Sequence, residues 1–395
     1  MDILYWVAGF LVLTVVIPNT TNFKERKAFS DKHRLEEARL HYHADSLGDS
    51  ITIIPGKFYD RGFLFKFFFG EKYREIWNTP VTVAVFDYEE NLGQLKPVDG
   101  GGGEQTISID LEDQQEREWS LRSVNKDQIG SVPKILRPTI VRVMFRDQVS
   151  GMNPYGALIT RKLSDSLGIK SLSPRMTFVP YDERLGDYND RMAGRLAFYE
   201  ENLNSSWKNS ERWNNADDIV NTEDMFEIMG NTVVQFDTMR YLKNRLFDML
   251  INDWDRHSGQ WEWEVHEGED TTLLVPIPKD RDVAFFVFNE GFMNKLALLF
   301  TNRLPSFRPQ YGNLKARINR ELDPMILKKV PVSKFIQTAK ELQAAMTDEI
   351  IHEAFLEYPD AVYEMFGEQH QAVLKARLEK LTREAEIFHG RLQKM

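Results

Sequence analysis

The chain opens on an almost unbroken apolar run, Ile3 to Ile17 (ILYWVAGFLVLTVVI), closed by Pro18. Fifteen helical residues span roughly 22 Å, short of the roughly 30 Å hydrocarbon core of a bilayer, so the run has the length of the apolar region of an export signal. No Lys or Arg precedes it, and no small-x-small cleavage site follows. Residues 1–21 are therefore expected to be a signal peptide or signal anchor, with a buried N-terminal helix or strand as the alternative. Residues 22–50 are polar and charged, with helical spacing at Leu35, Ala38 and Leu40, and read as a tether or loose helix.

From Ile51 the texture becomes aromatic and globular, with Phe58, Phe63, Phe65, Phe67, Phe68, Phe69, Tyr73 and Trp77 in close succession. The β-branched run Val81 to Phe86 predicts a strand. Four glycines, Gly100 to Gly103, lead into a strand pattern at Ile107, Ile109 and Leu111, a polar turn over Glu112 to Glu116, and a second strand from Trp119 to Val124. The Asn/Ser/Trp-rich stretch Glu200 to Asp224 is turn-prone and reads as a joint between two lobes. From Asp237 to Asn252 the spacing predicts a helix with an apolar stripe at Met239, Leu242, Leu246, Met249 and Leu250. A strand pair, Trp261 to His266 and Leu273 to Pro276, follows. The polar cluster Lys279-Asp280-Arg281-Asp282 then interrupts an apolar run. The tail from Ser333 is helical, with one apolar face at Leu374, Leu378, Leu381, Ala385 and Phe388. The elements sum to an α+β chain: residues 51–200 rich in strands, residues 201–395 mostly helical.

Composition narrows the function classes. Of 395 residues, 42% are hydrophobic, ample for a sizeable core. The net charge of -10 argues against nucleic-acid binding, which needs a basic face. The chain has no cysteine, which excludes disulfides, thiol catalysis, Cys-ligated zinc and a lipoprotein anchor. Its eight histidines form no His-Glu-x-x-His pair, and His41 and His43 read as solvated. No Gly-x-Ser-x-Gly elbow is present. The glycine run lacks the Gly-Lys-Ser/Thr ending of a Walker A loop. The tryptophans at 254, 261 and 263 read as core packing before a carbohydrate platform, alternating as they do with Glu262 and Glu264 on a half-buried strand.

Four features carry candidate chemistry. A glycine-rich turn opening a hairpin lets backbone N–H groups approach phosphate oxygens; a flexible linker is the bland reading. Arg122 stands on the following strand, and Lys126 four residues on is its fallback; either is a phosphate-binding cation or a surface charge. The densest signal is Asn252-Asp253-Trp254-Asp255-Arg256-His257-Ser258-Gly259-Gln260, straight after the amphipathic helix. Phosphoryl transfer needs a carboxylate to orient the attacking hydroxyl and oxygen ligands to hold a metal on the phosphates. Asp280 and Asp282 lie 25 and 27 residues past Asp255. Two aspartates in an apolar run bind a metal or pair internally with Lys279, Arg281 or Arg256, since a buried unpaired carboxylate is very costly.

Asp-Arg-His followed by an amide five residues after the aspartate, then an aspartate before an aromatic, resembles the atypical kinase superfamily, which includes HipA-type persister kinases, CotH-type spore-coat kinases and secretory-pathway casein kinases. The segments FFFGEKYREIWNTPVTV, GGGGEQT, LRSVNKD, INDWDRHSGQWEW and PIPKDRDVAFF also look like an exported bacterial family of the Bacteroidetes, some of whose members join this region to metallophosphoesterase or outer-membrane parts. The kinase likeness lies within Gly100 to Phe286; the second spans Phe58 to the C-terminus.

The resemblance implies a bilobal protein-kinase-like fold with a β-rich N-lobe and a mostly helical C-lobe. It makes Asp255 the catalytic base or orienting carboxylate, Gln260 the metal-binding amide, and Asp282, with Asp280 close behind, the second metal site. Arg122 takes the cation position on the third strand. Gly101, Gly102, Gly103 and Gln105 cover the nucleotide, and Glu200 or Glu201 borders the adenine. The chain departs from the kinase pattern in having Gln for Asn and Arg for Lys, and in offering no assignable glutamate on the helix that usually pairs with that lysine.

The expected function is an ATP- and Mg²⁺- or Mn²⁺-dependent phosphotransferase acting on a hydroxyl of a protein or small molecule, exported or anchored through residues 3–17 at the inner membrane, in the periplasm or cell envelope. The rival is a pseudokinase-like binding or scaffold module at the envelope. A metal-dependent phosphoesterase using the same aspartates is a third reading.

Overall fold

Seven strands form one sheet: β1 (Ser50–Ile53), β2 (Val81–Val85), β3 (Lys96–Asp99), β4 (Ser108–Glu112), β5 (Glu118–Ser123), β6 (Arg175–Val179) and β7 (Arg195–Glu201), in the order β1-β2-β6-β7-β5-β4-β3. These coordinates are a computed structural model, which describes residues 5, 6, 9, 12–16, 23–88, 95–100, 106–300, 306–312 and 318–395. The period-2 pattern behaves as a half-buried strand should. Val81 and Val83 face inward on β2 while Thr82 faces out, where its hydroxyl meets that of its cross-strand partner Thr52 at 2.9 Å. Phe86, Ile109, Leu111, Leu121, Val179, Ala197 and Tyr199 share one core cluster, with Trp119 stacked on Tyr199 at 5.0 Å.

The chain divides into two units, residues 1–115, 119–154 and 175–199 in the first, and 116–118, 155–174 and 200–395 in the second. The α+β expectation holds, with strands concentrated in the first unit and helices in the second. The first unit also carries α1 (Phe23–Ala28), α2 (Asp31–His41), α3 (Phe63–Phe69), α4 (Arg74–Asn78) and α5 (Ile140–Gln148). Arg74 and Asp147 make a buried two-pronged pair at 2.7 and 2.6 Å between α4 and α5. The buried Glu25 of α1 pairs with Arg142 and Arg146 of α5, both at 2.8 Å.

Residues 23–41 correct the tether reading. α2 starts on the Ser30 cap and is tied into the unit by Arg34, which donates to the carbonyls of Asp190 and Ala193, and by the 2.6 Å pair of Asp31 with Arg195. Ala38 is fully buried, whereas Leu40 of the same pattern faces solvent. Gly194 makes this approach feasible: its φ is +75°, and a Cβ there would stand 3.2 Å from the Ala38 Cβ and 3.5 Å from the Arg34 carbonyl oxygen. Gly194→Ala is expected to cost about 1–2 kcal/mol, read as a lower urea midpoint at unchanged slope.

In the second unit β8 (Asp218–Asn221), β9 (Val234–Phe236), β10 (Trp261–His266) and β11 (Thr272–Pro278) run in the order β8-β10-β11-β9. Around them pack α6 (Gly156–Ser166), α7 (Thr222–Asn231), α8 (Thr238–Leu250), α9 (Leu322–Leu327), α10 (Val332–Ala345), α11 (Asp348–Phe355), α12 (Glu368–Leu378) and α13 (Leu381–Leu392). The stripe from Leu374 to Phe388 is buried as its spacing predicts.

Two local expectations need revision. Met239 of the α8 stripe is exposed. Glu262 and Glu264 do not alternate outward: β10 is buried on both faces, and these carboxylates bond to Lys279 and to Asn214. Trp261 and Trp263 are fully buried core residues and form no carbohydrate platform. The stretch Glu200 to Asp224 contains two short 3-10 turns and β8.

Candidate active site

The site starts at the end of α8. Asp237 caps the helix by accepting from the Arg240 N–H at 2.9 Å. The other end closes on Asn252, whose φ is +61°. The Asp253 N–H reaches back to the Asp248 carbonyl at 2.9 Å and the Asn252 N–H to that of Met249 at 3.4 Å. This is a Schellman closure, and asparagine is among the few non-glycine residues that tolerate its left-handed position. It turns the chain out of the helix into the 253–260 loop.

The loop and the Lys279–Asp282 turn are joined at both ends. At one end, β10 and β11 pair in a register that sets Trp261 opposite Pro278, and the Lys279 N–H continues that ladder to the Gln260 carbonyl at 3.1 Å. At the other, Phe285 N–H donates to the Ile251 carbonyl at 2.8 Å, and the Asn252 side chain donates to the Phe286 carbonyl at 3.0 Å. Between them the buried Arg256 guanidinium donates to the Gln260 and Lys279 carbonyls and to the Asp253 carboxylate. Two segments some twenty residues apart thus form one closed ring. Left-handed backbone at Asn252, Asp280 and Phe285 marks its corners; for a bulky aromatic such as Phe285 that conformation is strained.

Beneath the ring lies a buried charge network. Asp248 of α8 accepts from Arg281 at 2.8 and 3.0 Å, and stands 3.4 Å from Arg256 and 3.3 Å from Arg245. Arg281 also reaches Asn244 at 2.9 Å, and Arg245 pairs with Asp323 at 2.7 Å. Burial alone would raise the Asp248 carboxyl, but Arg256, Arg281 and Arg245 together hold it below the ordinary range. The neighbouring Asp253 differs. Burial pushes its carboxyl up to about 6 against the pull of Arg256, and Asp248 adds to the push. Its folded value lies above its unfolded one, so the native state gains stability relative to the unfolded chain as pH falls from about 6 toward 4. Asp253→Asn removes that gain, and its stability relative to wild type is expected to rise with pH across that window, measured by urea unfolding at several pH values.

The ring brings together part of the expected constellation. Asp255, Gln260, Asp280 and Asp282 all lie on its two segments; Gln260 is buried, and the three aspartates are partly exposed. The Gln260 Oε1 oxygen is buried and accepts no hydrogen bond. An amide oxygen with an unused lone pair is a hard donor of the kind Mg²⁺ or Mn²⁺ prefers. Among the described residues, no group of three or more His, Asp or Glu side chains is arranged to hold a metal ion, so Asp255, Asp280 and Asp282 do not converge as a three-carboxylate site. His257 and Gly259 at the loop tip are exposed, which opens the loop to solvent.

The other expected residues lie elsewhere in the chain. Arg122 stands on β5, partly exposed between buried Leu121 and Ser123, and Lys126 follows in the loop after that strand. Glu200 is buried near the end of β7; its neighbour Glu201 is engaged by Arg212 at 2.7 Å and by the Ser173 N–H at 2.8 Å. Gly101, Gly102, Gly103 and Gln105 lie outside the described residues, as do residues 3, 4, 7, 8, 10, 11 and 17 of the N-terminal apolar run. No helix among the described residues is long and apolar enough to cross a membrane.

Sequence reasoning missed Asp248, counted Asp253 in the loop motif without a role, and saw Arg256 only as a pairing candidate. The signal was present in α8, where Asn244, Arg245 and Asp248 form the helix's second face; that face reads as solvated until the ring is seen to cover it.

No family model and no curated protein matches the sequence. Among solved structures, the chain is similar to a Helicobacter pylori proinflammatory kinase, CtkA, at 13% identity and a TM-score of 0.38 over 76% of this chain and 97% of that one. It is also similar to a chain of the Shewanella oneidensis MR-1 HipA, HipB and operator DNA complex, at 10% identity and a TM-score of 0.34 over 79% of this chain and 70% of that one.

Proposed function

We propose that the second unit carries the phosphoryl-transfer site of an ATP- and metal-dependent phosphotransferase whose acceptor is a hydroxyl of a protein or small molecule. The observation that carries the reading is the Arg256-closed ring, which holds the Asp255 loop against the Lys279–Asp282 turn and leaves the Gln260 amide oxygen buried with no hydrogen bond. Asp255 orients the acceptor hydroxyl and takes its proton. Gln260, Asp282 and Asp280 are the oxygen donors to a divalent cation, which when bound neutralises charge on the nucleotide phosphates. Arg256 fixes the separation of the two segments, so the acids are placed before substrate arrives. Nucleotide-holding roles for Gly101–Gly103, Gln105, Arg122, Lys126 and Glu200, and an envelope location set by residues 3–17, belong to the same proposal.

Incubating the full chain with γ-labelled ATP, with Mg²⁺ or Mn²⁺ and then with a chelator, tests it. Label transfer to the chain or to an added hydroxyl acceptor is expected with either metal and is lost on chelation. Metal-independent nucleotide binding without transfer would favour the scaffold reading. Release of inorganic phosphate from phosphoesters without ATP would favour the phosphoesterase.

A further inference from the structure

The tail of the chain reaches the ring through one buried side chain. Arg377 stands on α12, one turn after Leu374, and is fully buried with it. Among the described residues its hydrogen bonds all go to backbone carbonyls: Leu250 at 2.7 Å, Met249 at 2.6 Å, Arg308 at 2.9 Å and Gln310 at 3.5 Å. Its guanidinium lies over the Tyr311 ring at 4.0 Å, and the Tyr311 hydroxyl donates to the Arg377 carbonyl at 3.0 Å. Burial pushes the group down to about 10, still charged at neutral pH. A cation at this depth, hydrogen-bonded to no carboxylate, is costly unless it satisfies groups that would otherwise be orphaned.

What it satisfies is the end of α8. The last turn of a helix leaves carbonyls without intrahelical donors, and the helix dipole makes that end negative. The Phe247 and Asp248 carbonyls take the N–H groups of Ile251 and Asp253 at 3.0 and 2.9 Å. The Leu250 carbonyl is met by Arg377 Nε, and a second guanidinium nitrogen meets that of Met249. The same guanidinium fixes the far side. Arg308 and Gln310 lie on segment 306–312, which runs beside the chain leaving the ring. There the Phe307 N–H donates to the Phe286 carbonyl at 2.7 Å, and the Ser306 hydroxyl accepts from the N–H groups of Phe288 and Asn289, both at 2.8 Å. Arg377 therefore ties the helix that enters the ring to the segment that holds its exit.

We propose that Arg377 is a positioning residue for the Asp255 loop. It sets where α8 ends and, through residues 306–310, where the chain leaves the Lys279–Asp282 turn. The positioning stands on these bonds alone, whereas its effect on turnover rests on the phosphotransferase reading.

Hydrogen exchange of the full chain, read on peptides by mass spectrometry, tests the positioning without any activity. Arg377→Lys keeps the charge but loses the planar fan of donors that reaches both sides. It is expected to speed exchange over residues 249–260 and 279–289 by about tenfold or more, while strands β6 and β7 of the first unit stay within about twofold. Unchanged exchange in those two segments would overturn the proposal. So would equal acceleration across the whole chain, because Arg377 would then serve global stability alone. Arg377→Gln, which keeps two donors and sheds the buried charge, repeats the test should the lysine variant fold poorly. In transfer from γ-labelled ATP, kcat is expected to fall about tenfold or more with KM for ATP within about twofold; a loss confined to KM would contradict a positioning role. A wild-type chain that transfers no phosphate would remove the phosphotransferase reading and leave the exchange result to decide this one.

Discussion

Asp255→Ala is expected to lower phosphoryl transfer by about 10³-fold with the ring still closed, because the bonds that close it run elsewhere. They use the backbone of Ile251, Gln260, Lys279 and Phe285 and the guanidinium of Arg256. The Asp255 carbonyl, which accepts from the His257 N–H at 3.0 Å, survives the substitution. Asp255→Asn keeps the shape and a hydrogen-bonding group but loses the base, so its rate is expected to fall nearly as far with nucleotide affinity preserved. Asp282→Ala is expected to act differently, weakening metal-dependent nucleotide binding as well as turnover. Should both alanine variants transfer phosphate at the wild-type rate, the assignment of this loop is wrong.

Asp248→Ala is expected to be the most destabilising single change in the second unit, at about 3–5 kcal/mol. Its carboxylate is fully buried and sits among the guanidinium groups of Arg281, Arg256 and Arg245. Removing it leaves buried cations that cannot shed their charge, and deprives Arg256 of a partner on which the ring depends. Urea unfolding reads the loss directly. The pH dependence has a definite sign. The folded Asp248 is held below its ordinary range, so its stabilisation is fully present above its unfolded value, near 3.9, and is lost as pH falls through the lower folded value. The deficit of Asp248→Ala is therefore expected to shrink only in strong acid. A deficit that vanished already near neutral pH would show that the network does not hold the ring.

How much of this was legible in the sequence depended on whether the signal was local. Strands β2, β4 and β5, the α8 helix, the β10–β11 hairpin and the tail stripe follow from period and turn chemistry, which neighbouring residues set. The bounds Asp237 and Asn252 of that helix were legible, although the cap and the closure that make them bounds were not. What local reasoning misjudged were polar groups whose partners lie far along the chain. Glu262 and Glu264 looked solvent-facing because they alternate with Trp261 and Trp263, yet both faces of β10 are buried and the partners, Lys279 and Asn214, come from just beyond β11 and just before β8. Arg34 and Asp31 made α2 look like a loose charged helix, because their partners stand about 160 residues away. The loop and the KDRD turn were each legible as chemistry. Their union was a bet on a hairpin register, and Gln260 opposite Lys279 is what that register delivers.

A cation shared between the two sides of the ring is what a crystal of the full chain grown with Mn²⁺ and a non-hydrolysable ATP analogue would reveal most directly. An anomalous scattering peak within bonding distance of the Gln260 Oε1 oxygen and a carboxylate of Asp280 or Asp282, with Asp255 facing the terminal phosphate, is the predicted result. Nucleotide bound with no manganese at the ring, or manganese bound away from all four side chains, would contradict it.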